Sequence, residues 1–513
     1  LARLGDVRLS ARDPAGVADL QEAHRLATDP VLRAHVALRL VIVFAHAGQW
    51  DPAIELLESA ERDPAPIPAA LRAELAAIGA VVMLHDPMRQ RGLEARRAGY
   101  EVLAAQDSWG SAALAAVLAQ EASHRGRPQK AVALARRALA DGRLFADRGA
   151  GGWASPMVFE ALVRSEELNF ASETIEHLHS AALAAGSTIG EITALGMRAW
   201  IHAIRGELDA AETALSNVLA LAQEAGVLMG VTTLLFVGVD VLLERPAMAH
   251  VVDLVEEVDL GQDFLETAAG GMLLEVRGRL RLQRRDAERG IADVRAAGAI
   301  FSALGFGASY SAWRSIVARA LPAGDREQAL ELAREELALA RPTGLALPQA
   351  IAVRALGMLD GSVAGLELLR ESVALLEHSQ ARLEHARSLV ELGAALRRAN
   401  RRADAREHLA QGCRLAHAYG AEALRRQAEQ ELTACGGRRA RLELSGRESL
   451  TASELRVIEL AAAGATNSEI AGDLYVSLKT VETHLSRAYR KLGLSGRGSR
   501  RRLREVLSMP GSS

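Results

Sequence analysis

The sequence predicts an all-α protein: a long array of helical hairpins followed by a small, basic helical domain. Three observations lead there. Aromatic residues are only 4% of the chain and the apolar mass is mostly Ala and Leu, which favour helix where β-branched and aromatic residues favour strand. Apolar residues recur with helical spacing, plainly at 329–339 and 366–376, and no alternating run predicts a sheet. A pattern of turn and packing residues also returns at multiples of about 39 residues.

The clearest copy of that pattern is Gly48, Trp50, Ala53, Leu57 and Ala60. It returns as Gly126, Pro128, Ala131, Ala135, Ala138 and as Gly206, Leu208, Ala211, Leu215, Val218, then more weakly from Gly324, Gly361 and Asn400. These turns lie 78, 80, 118, 37 and 39 residues apart, so further copies are expected near 87, 166, 245 and 285. At 166 the residues fit (Glu166, Leu168, Ala171, Ile175, Leu178); at 245 they fit partly, and at 87 and 285 poorly. Physically, the turn residue ends one helix and small residues let the next pack close against it. Neighbouring pairs then bury the stripe that neither helix can bury alone. The pattern resembles tetratricopeptide repeats, with a period longer than their usual ~34 residues. It predicts a tetratricopeptide-like helical-hairpin solenoid over 1–435.

Punctuation along the chain agrees. Pro64, Pro66 and Pro68 separate two helical runs, and Gly186, Gly226 and Gly420 follow long Ala/Leu runs as C-terminal caps do. The most apolar run, 228–243, contains Asp240 and is too short to span a membrane, so it is expected to be one buried helix. The tryptophans Trp50, Trp153, Trp200 and Trp313 are expected in the repeat core, and His24, His46, His177 and His179 as scattered structural residues. A Gly/Arg-rich linker is expected over 436–448, a second domain over 449–508 and a tail over 509–513.

Charge separates the two parts. The net charge is −3, but residues 438–508 carry 14 basic and 8 acidic side chains, which is +6 against −9 for the remainder. A basic end on an acidic body points to a polyanion partner. Two of the three lysines, Lys479 and Lys491, lie in that end; the third is Lys130. Two cysteines, Cys413 and Cys435, cannot staple a disulfide scaffold and fit a reducing cytoplasm. No membrane association is expected. The chain starts at Leu1 in what reads as the middle of a helical pattern, which suggests a piece of a longer protein.

The segment 450–507 carries the function. Thr451 with Glu454 three residues on is a capping box, and Leu455, Ile458, Leu460 and Ala461 then build a first helix closed by Gly464. Thr466 or Asn467 starts a short second helix containing Ile470, Ala471 and Leu474. A third runs from about Leu478 to Leu492 with Val481, Leu485, Ala488 and Leu492 as its inner stripe. Two short helices joined by a tight turn, the second with a polar outer face, form a helix-turn-helix. Leu503, Val506 and Leu507 point to a fourth helix.

This stretch resembles the DNA-binding domain of LuxR-type transcription regulators. The pattern stands here as Leu450-Thr451, Glu454, Val457, Leu460, Gly464, Asn467, Glu469-Ile470-Ala471, Leu474, Ser477, Thr480-Val481, His484, Lys491-Leu492-Gly493 and Arg497. The array ahead of it is similar to the middle part of the large ATP-binding LuxR regulators, notably at Leu383-Glu384-His385-Ala386 and Leu392-Gly393-Ala394-Ala395-Leu396-Arg397. Those regulators carry a P-loop, yet no Gly-Lys dipeptide occurs here. No cofactor is expected in this chain, and ATP only through a domain upstream of Leu1.

The resemblance implies a sequence-specific, DNA-binding transcription regulator of bacterial type, an activator, not an enzyme, with no metal site. Glu482, Thr483 and Ser486 are expected to face base edges, where Glu accepts from cytosine N4 and Thr offers a hydroxyl or methyl group. Asn467, Lys479, Thr480, His484, Arg487, Arg490 and Lys491 are expected on phosphates. Leu503, Val506 and Leu507 are expected on a helix that joins two copies on double-stranded DNA. RNA polymerase and an effector or protein on the array are further expected partners. Two alternatives are a repeat scaffold whose C-terminal domain binds protein and not DNA, and a fragment of an ATP-hydrolysing regulator.

Overall fold

The computed structural model describes residues 1–513 apart from 11–12, 14, 47–48, 63–65, 141, 147–152, 226–227, 246–247, 249–250, 252–254, 256–261, 437–449, 475, 493, 495–499, 501–502 and 504–513. Gly48, Gly226, the linker beyond Gly436, Val506, Leu507 and the tail therefore lie outside the described residues. Among the described residues there are helices, turns and coil and no strand. No helix among them is long and apolar enough to cross a membrane.

Turns set the architecture. Left-handed backbone occurs at Gly126, Glu166, Gly206, Arg285, Gly361 and Asn400, with φ of 68°, 61°, 73°, 66°, 63° and 60°. These are positions the repeat spacing marks, including 285, where the side-chain pattern is poorest. The spacing fails at three places. Arg245 is extended (φ −117°), and Gly324 and Pro87 lie in short 3-10 turns. A second set of left-handed glycines, Gly186, Gly344 and Gly420, closes the other end of the pairs. Gly206 is required twice over: its φ is positive, and a Cβ there would fall 2.8 Å from the Tyr419 ring.

The small residues do what the period implies. Ala53, Ala131, Ala171, Ala211 and Ala405, one per hairpin, are wholly buried, which lets paired helices approach closely. Trp153, Trp200 and Trp313 are partly buried against the main core. The run 228–243 differs from the expected single helix: it is two, Leu228–Val237 and Val239–Glu244, broken at Gly238. A Cβ at Gly238 would meet Leu215 at 2.7 Å, so close packing there excludes the side chains that would favour a continuous helix.

The array winds tightly enough to touch itself. Gly307 N donates to the His124 carbonyl (2.7 Å), Arg164 Nη1 to the Tyr310 carbonyl (2.8 Å), and Arg387 to Asp240 (2.9 Å) and Glu244 (3.0 Å). Leu424 N donates to Glu244 Oε2 (3.0 Å). Glu166, on its left-handed turn, accepts from Leu347 N (2.7 Å) and Ala346 N (3.2 Å). It thereby caps the helix Ala346–Asp360, which offsets the ~1 kcal/mol cost of its own backbone. Partners in these bonds lie 143 to 183 residues apart, about one turn of superhelix.

A buried polar cluster anchors the winding. Glu160 accepts from Gln120 Nε2 (2.7 Å), His124 Nε2 (2.9 Å) and Arg164 Nε (2.7 Å). Burial pushes the His124 pKa down to about 4, against the pull of Glu160. The Glu160 carboxyl is driven up by burial, yet Arg164 and His124 overcome this and hold it well below the ordinary range. His124 therefore stays neutral in the fold where an unfolded chain would take up a proton. Stability conferred by a neutral His124 is full above its unfolded pKa near 6.5 and is lost as pH falls from there toward 4. The loss across that window amounts to about 3 kcal/mol. A urea-midpoint profile against pH should show this decline, and His124→Gln should flatten it. An unchanged profile in the variant would assign the acid sensitivity elsewhere.

Candidate nucleic-acid interface

Three capped helices build the C-terminal domain. Thr451 Oγ1 accepts from Glu454 N (3.3 Å) while Glu454 Oε2 accepts from Thr451 N (2.9 Å), opening Ala452–Ala463. The same box at Thr466 and Glu469 opens Asn467–Asp473. Ser477 Oγ accepts from Thr480 N (3.1 Å) and opens Leu478–Lys491. Val457, Ile458, Ala461, Ile470, Val481, Leu485 and Ala488 form its core, with Leu450, Leu494 and Leu503.

That core fixes which side of Leu478–Lys491 faces out. Lys479, Glu482, Thr483, Ser486, Arg487 and Arg490 are exposed. At about 100° per residue, Lys479, Glu482, Thr483, Ser486 and Arg490 fall within one narrow stripe opposite Val481, Leu485 and Ala488. Thr483 Oγ1 donates to the Lys479 carbonyl (2.8 Å). Its methyl group and remaining lone pairs stay available.

The residues between stripe and core behave differently. His484, Lys491 and Thr480 lie on the flank of the helix. Lys491 Nζ pairs with the buried Glu454 carboxylate at 2.6 Å, and His484 is buried. Burial lowers the His484 pKa, opposed by Asp209 and Glu454. Neither is presented to a phosphate in this arrangement, contrary to the expectation for both. The family resemblance had placed His484 there and its charge Lys491; their helical phase places them against the protein. Asn467 is half-buried and its Oδ1 accepts from Arg500 Nη1 (2.7 Å), while Thr480 is half-buried with its hydroxyl on Ser477 (2.7 Å). Leu503 is fully buried in the domain's own core, so it is not available as a contact with a second copy. Val506 and Leu507 lie outside the described residues.

A model of bacterial regulatory proteins, luxR family, matches residues 448–499. The spore germination protein GerE of Bacillus subtilis is 44% identical over 55 residues, which cover 11% of this chain and 74% of GerE. The chain belongs to the luxR family. The transcriptional regulatory protein LiaR of Bacillus subtilis is 46% identical over 50 residues, 10% of this chain and 24% of LiaR. Relatives from Mycobacterium bovis and Mycobacterium tuberculosis are 49% identical over 49 residues, 10% of this chain and 6% of their own length.

The luxR-family domain sits on the array at the start of the helix Leu208–Ala225. Arg456 pairs with Glu207 (2.7 Å), and Thr451 Oγ1 donates to Asp209 Oδ2 (3.2 Å). Asp209 is itself held by Arg245 (2.8 Å), which also binds Glu212 and the Gly420 carbonyl. Burial raises the Glu207 pKa, but His202 and Arg456 outweigh it and hold the carboxyl at about 2. A cleft of about 300 Å³ between the two parts is lined by Ile201, His202, Asp209, Val457, Leu474 and His484. Sequence reasoning missed this contact entirely. Arg456, Glu207 and Asp209 carry no pattern that would pair residues more than two hundred positions apart.

Proposed function

We propose that the protein is a sequence-specific, DNA-binding transcription regulator, with the array controlling the luxR-family domain. The observation that carries this is the exposed stripe Lys479, Glu482, Thr483, Ser486 and Arg490 on a helix whose opposite side is closed by apolar packing. Glu482, Thr483 and Ser486 read base edges in the major groove. Lys479, Arg487 and Arg490 neutralise phosphates, with Asn467 and Thr480 at helix N-termini as donors that must reorient to do so. His484, which lines the cleft against the array, reaches phosphate only if the domain leaves the array, and Lys491 only if it releases Glu454. Action as an activator through RNA polymerase, binding of DNA as a homodimer, residence in the cytoplasm and any use of ATP through an upstream segment belong to this same proposal.

Fluorescence anisotropy with duplex DNA tests it. Affinity should fall steeply with salt as counterions are released. Lys479→Ala should weaken binding to all sequences alike and reduce the salt slope by about one. Thr483→Ala should instead change preference at one base pair by ~1–3 kcal/mol. Salt-independent binding, or equal losses in both variants across all sequences, would overturn the assignment.

A further inference from the structure

Where the turns of the superhelix meet lies a half-open cavity of about 670 Å³, within the range of small-molecule sites. Its lining comes from helices between Val163 and Gln427 and mixes apolar side chains, among them Trp200, Phe236, Ile316, Leu347 and Pro348, with charged ones. Most of those charges have a close partner. Arg279 and Arg387 both hold Asp240 at 2.9 Å. Arg387 also holds Glu244 at 3.0 Å and contacts Glu384, which Arg354 binds as well.

Arg319 is the exception. Its nearest carboxylate is Glu391 at 3.7 Å, beyond hydrogen-bond reach, and the Glu391 Oε1 atom already accepts from Gln427 (3.1 Å). The Arg319 side chain lines the cavity with 43% of its surface open. On the same lining, Arg164 Nη2 and the Tyr310 hydroxyl are buried without a hydrogen-bond partner among the described residues.

We propose that this cavity binds a small organic monocarboxylate, its head group forked onto Arg319 and its apolar body laid against apolar side chains of the lining such as Ile316, Leu347 and Pro348. A guanidinium fork matches a carboxylate with two parallel bonds. A single negative charge is the expected size of the head group. Arg279, Arg354 and Arg387 are already balanced by Asp240, Glu244 and Glu384, and Glu166, Glu275 and Glu391 also line the cavity, so a doubly charged phosphate would face all these carboxylates with only one underpaired cation. This inference concerns the array and holds whether or not the C-terminal domain binds DNA.

Calorimetric titration of the full chain tests it, with benzoate, hexanoate and naphthoate each beside its neutral amide. At least one acid should bind about tenfold more tightly than its amide. Arg319→Met should bring the acid to the affinity of the amide and leave amide binding unchanged. Arg319→Lys, which keeps the charge without the fork, should fall between. Retention of the wild-type melting curve confirms that each variant is folded. If no acid outbinds its amide, or if Arg319→Met leaves the preference intact, the proposal is wrong.

Discussion

Replacing Arg387 by methionine will destabilise the array by about 3–5 kcal/mol. The guanidinium bridges Asp240, Glu244 and Glu384. Burial disfavours its charge, yet those carboxylates outweigh burial and raise its pKa well above the ordinary arginine range. Removing it takes from Glu244 the cation that holds it and leaves Asp240 and Glu384 with one cation each, Arg279 and Arg354, at the seam where the superhelix meets itself. The Glu384 carboxyl, driven up by burial but pulled to about 2 by Arg354 and Arg387, would lose one of its two cations. Urea titration measures the loss. Adding Asp240→Asn, Glu244→Gln and Glu384→Gln to the methionine variant should restore much of it, because breaking a buried network costs more than replacing it. The deficit should also shrink below about pH 4, where these carboxyls take up protons. A loss under about 1 kcal/mol would mean that the seam is held by apolar packing and not by this network.

The second large effect is expected from Ile470→Ala. The seven-residue helix Asn467–Asp473 buries one side chain, Ile470, which is wholly enclosed. Truncation to Ala in a core costs about 2–5 kcal/mol. A domain of some 60 residues holds only a few kcal/mol in total. The variant should therefore lose hydrogen-exchange protection throughout 452–491 while 109–434 stays protected. DNA binding should vanish at all salt concentrations, unlike the graded loss expected for Lys479→Ala. Protection retained in 452–491 would show that contacts with the array, through Arg456 and Thr451, supply the missing stability.

Local signals in the sequence carried a long way. Helix class follows from Ala and Leu content and from helical spacing. Capping boxes at Thr451 and Thr466 mark helix starts because a side-chain oxygen must satisfy orphan amides within three residues. The turn period located even Arg285, where the side-chain pattern fails, because backbone geometry recurs more faithfully than any one residue. The exposed stripe of Leu478–Lys491 was legible from helical phase. The same phase argument, applied to His484 and Lys491, would have kept them off the phosphate surface; the family resemblance for His484 and the charge of Lys491 drew the assignment instead.

What tertiary structure decided is how far the array winds. Each hairpin contributes a small rotation set by the packing of side chains such as Ala131, Ala211 and Ala405, and those rotations add over several repeats. No local pattern encodes the sum. The sum is what brings Arg387 to Asp240, Glu166 to Leu347 and Arg456 to Glu207, and it forms the cavity that Arg319 lines. Interactions within one helical turn are written in neighbouring residues. Interactions across 143 residues and more depend on the accumulated geometry of everything between.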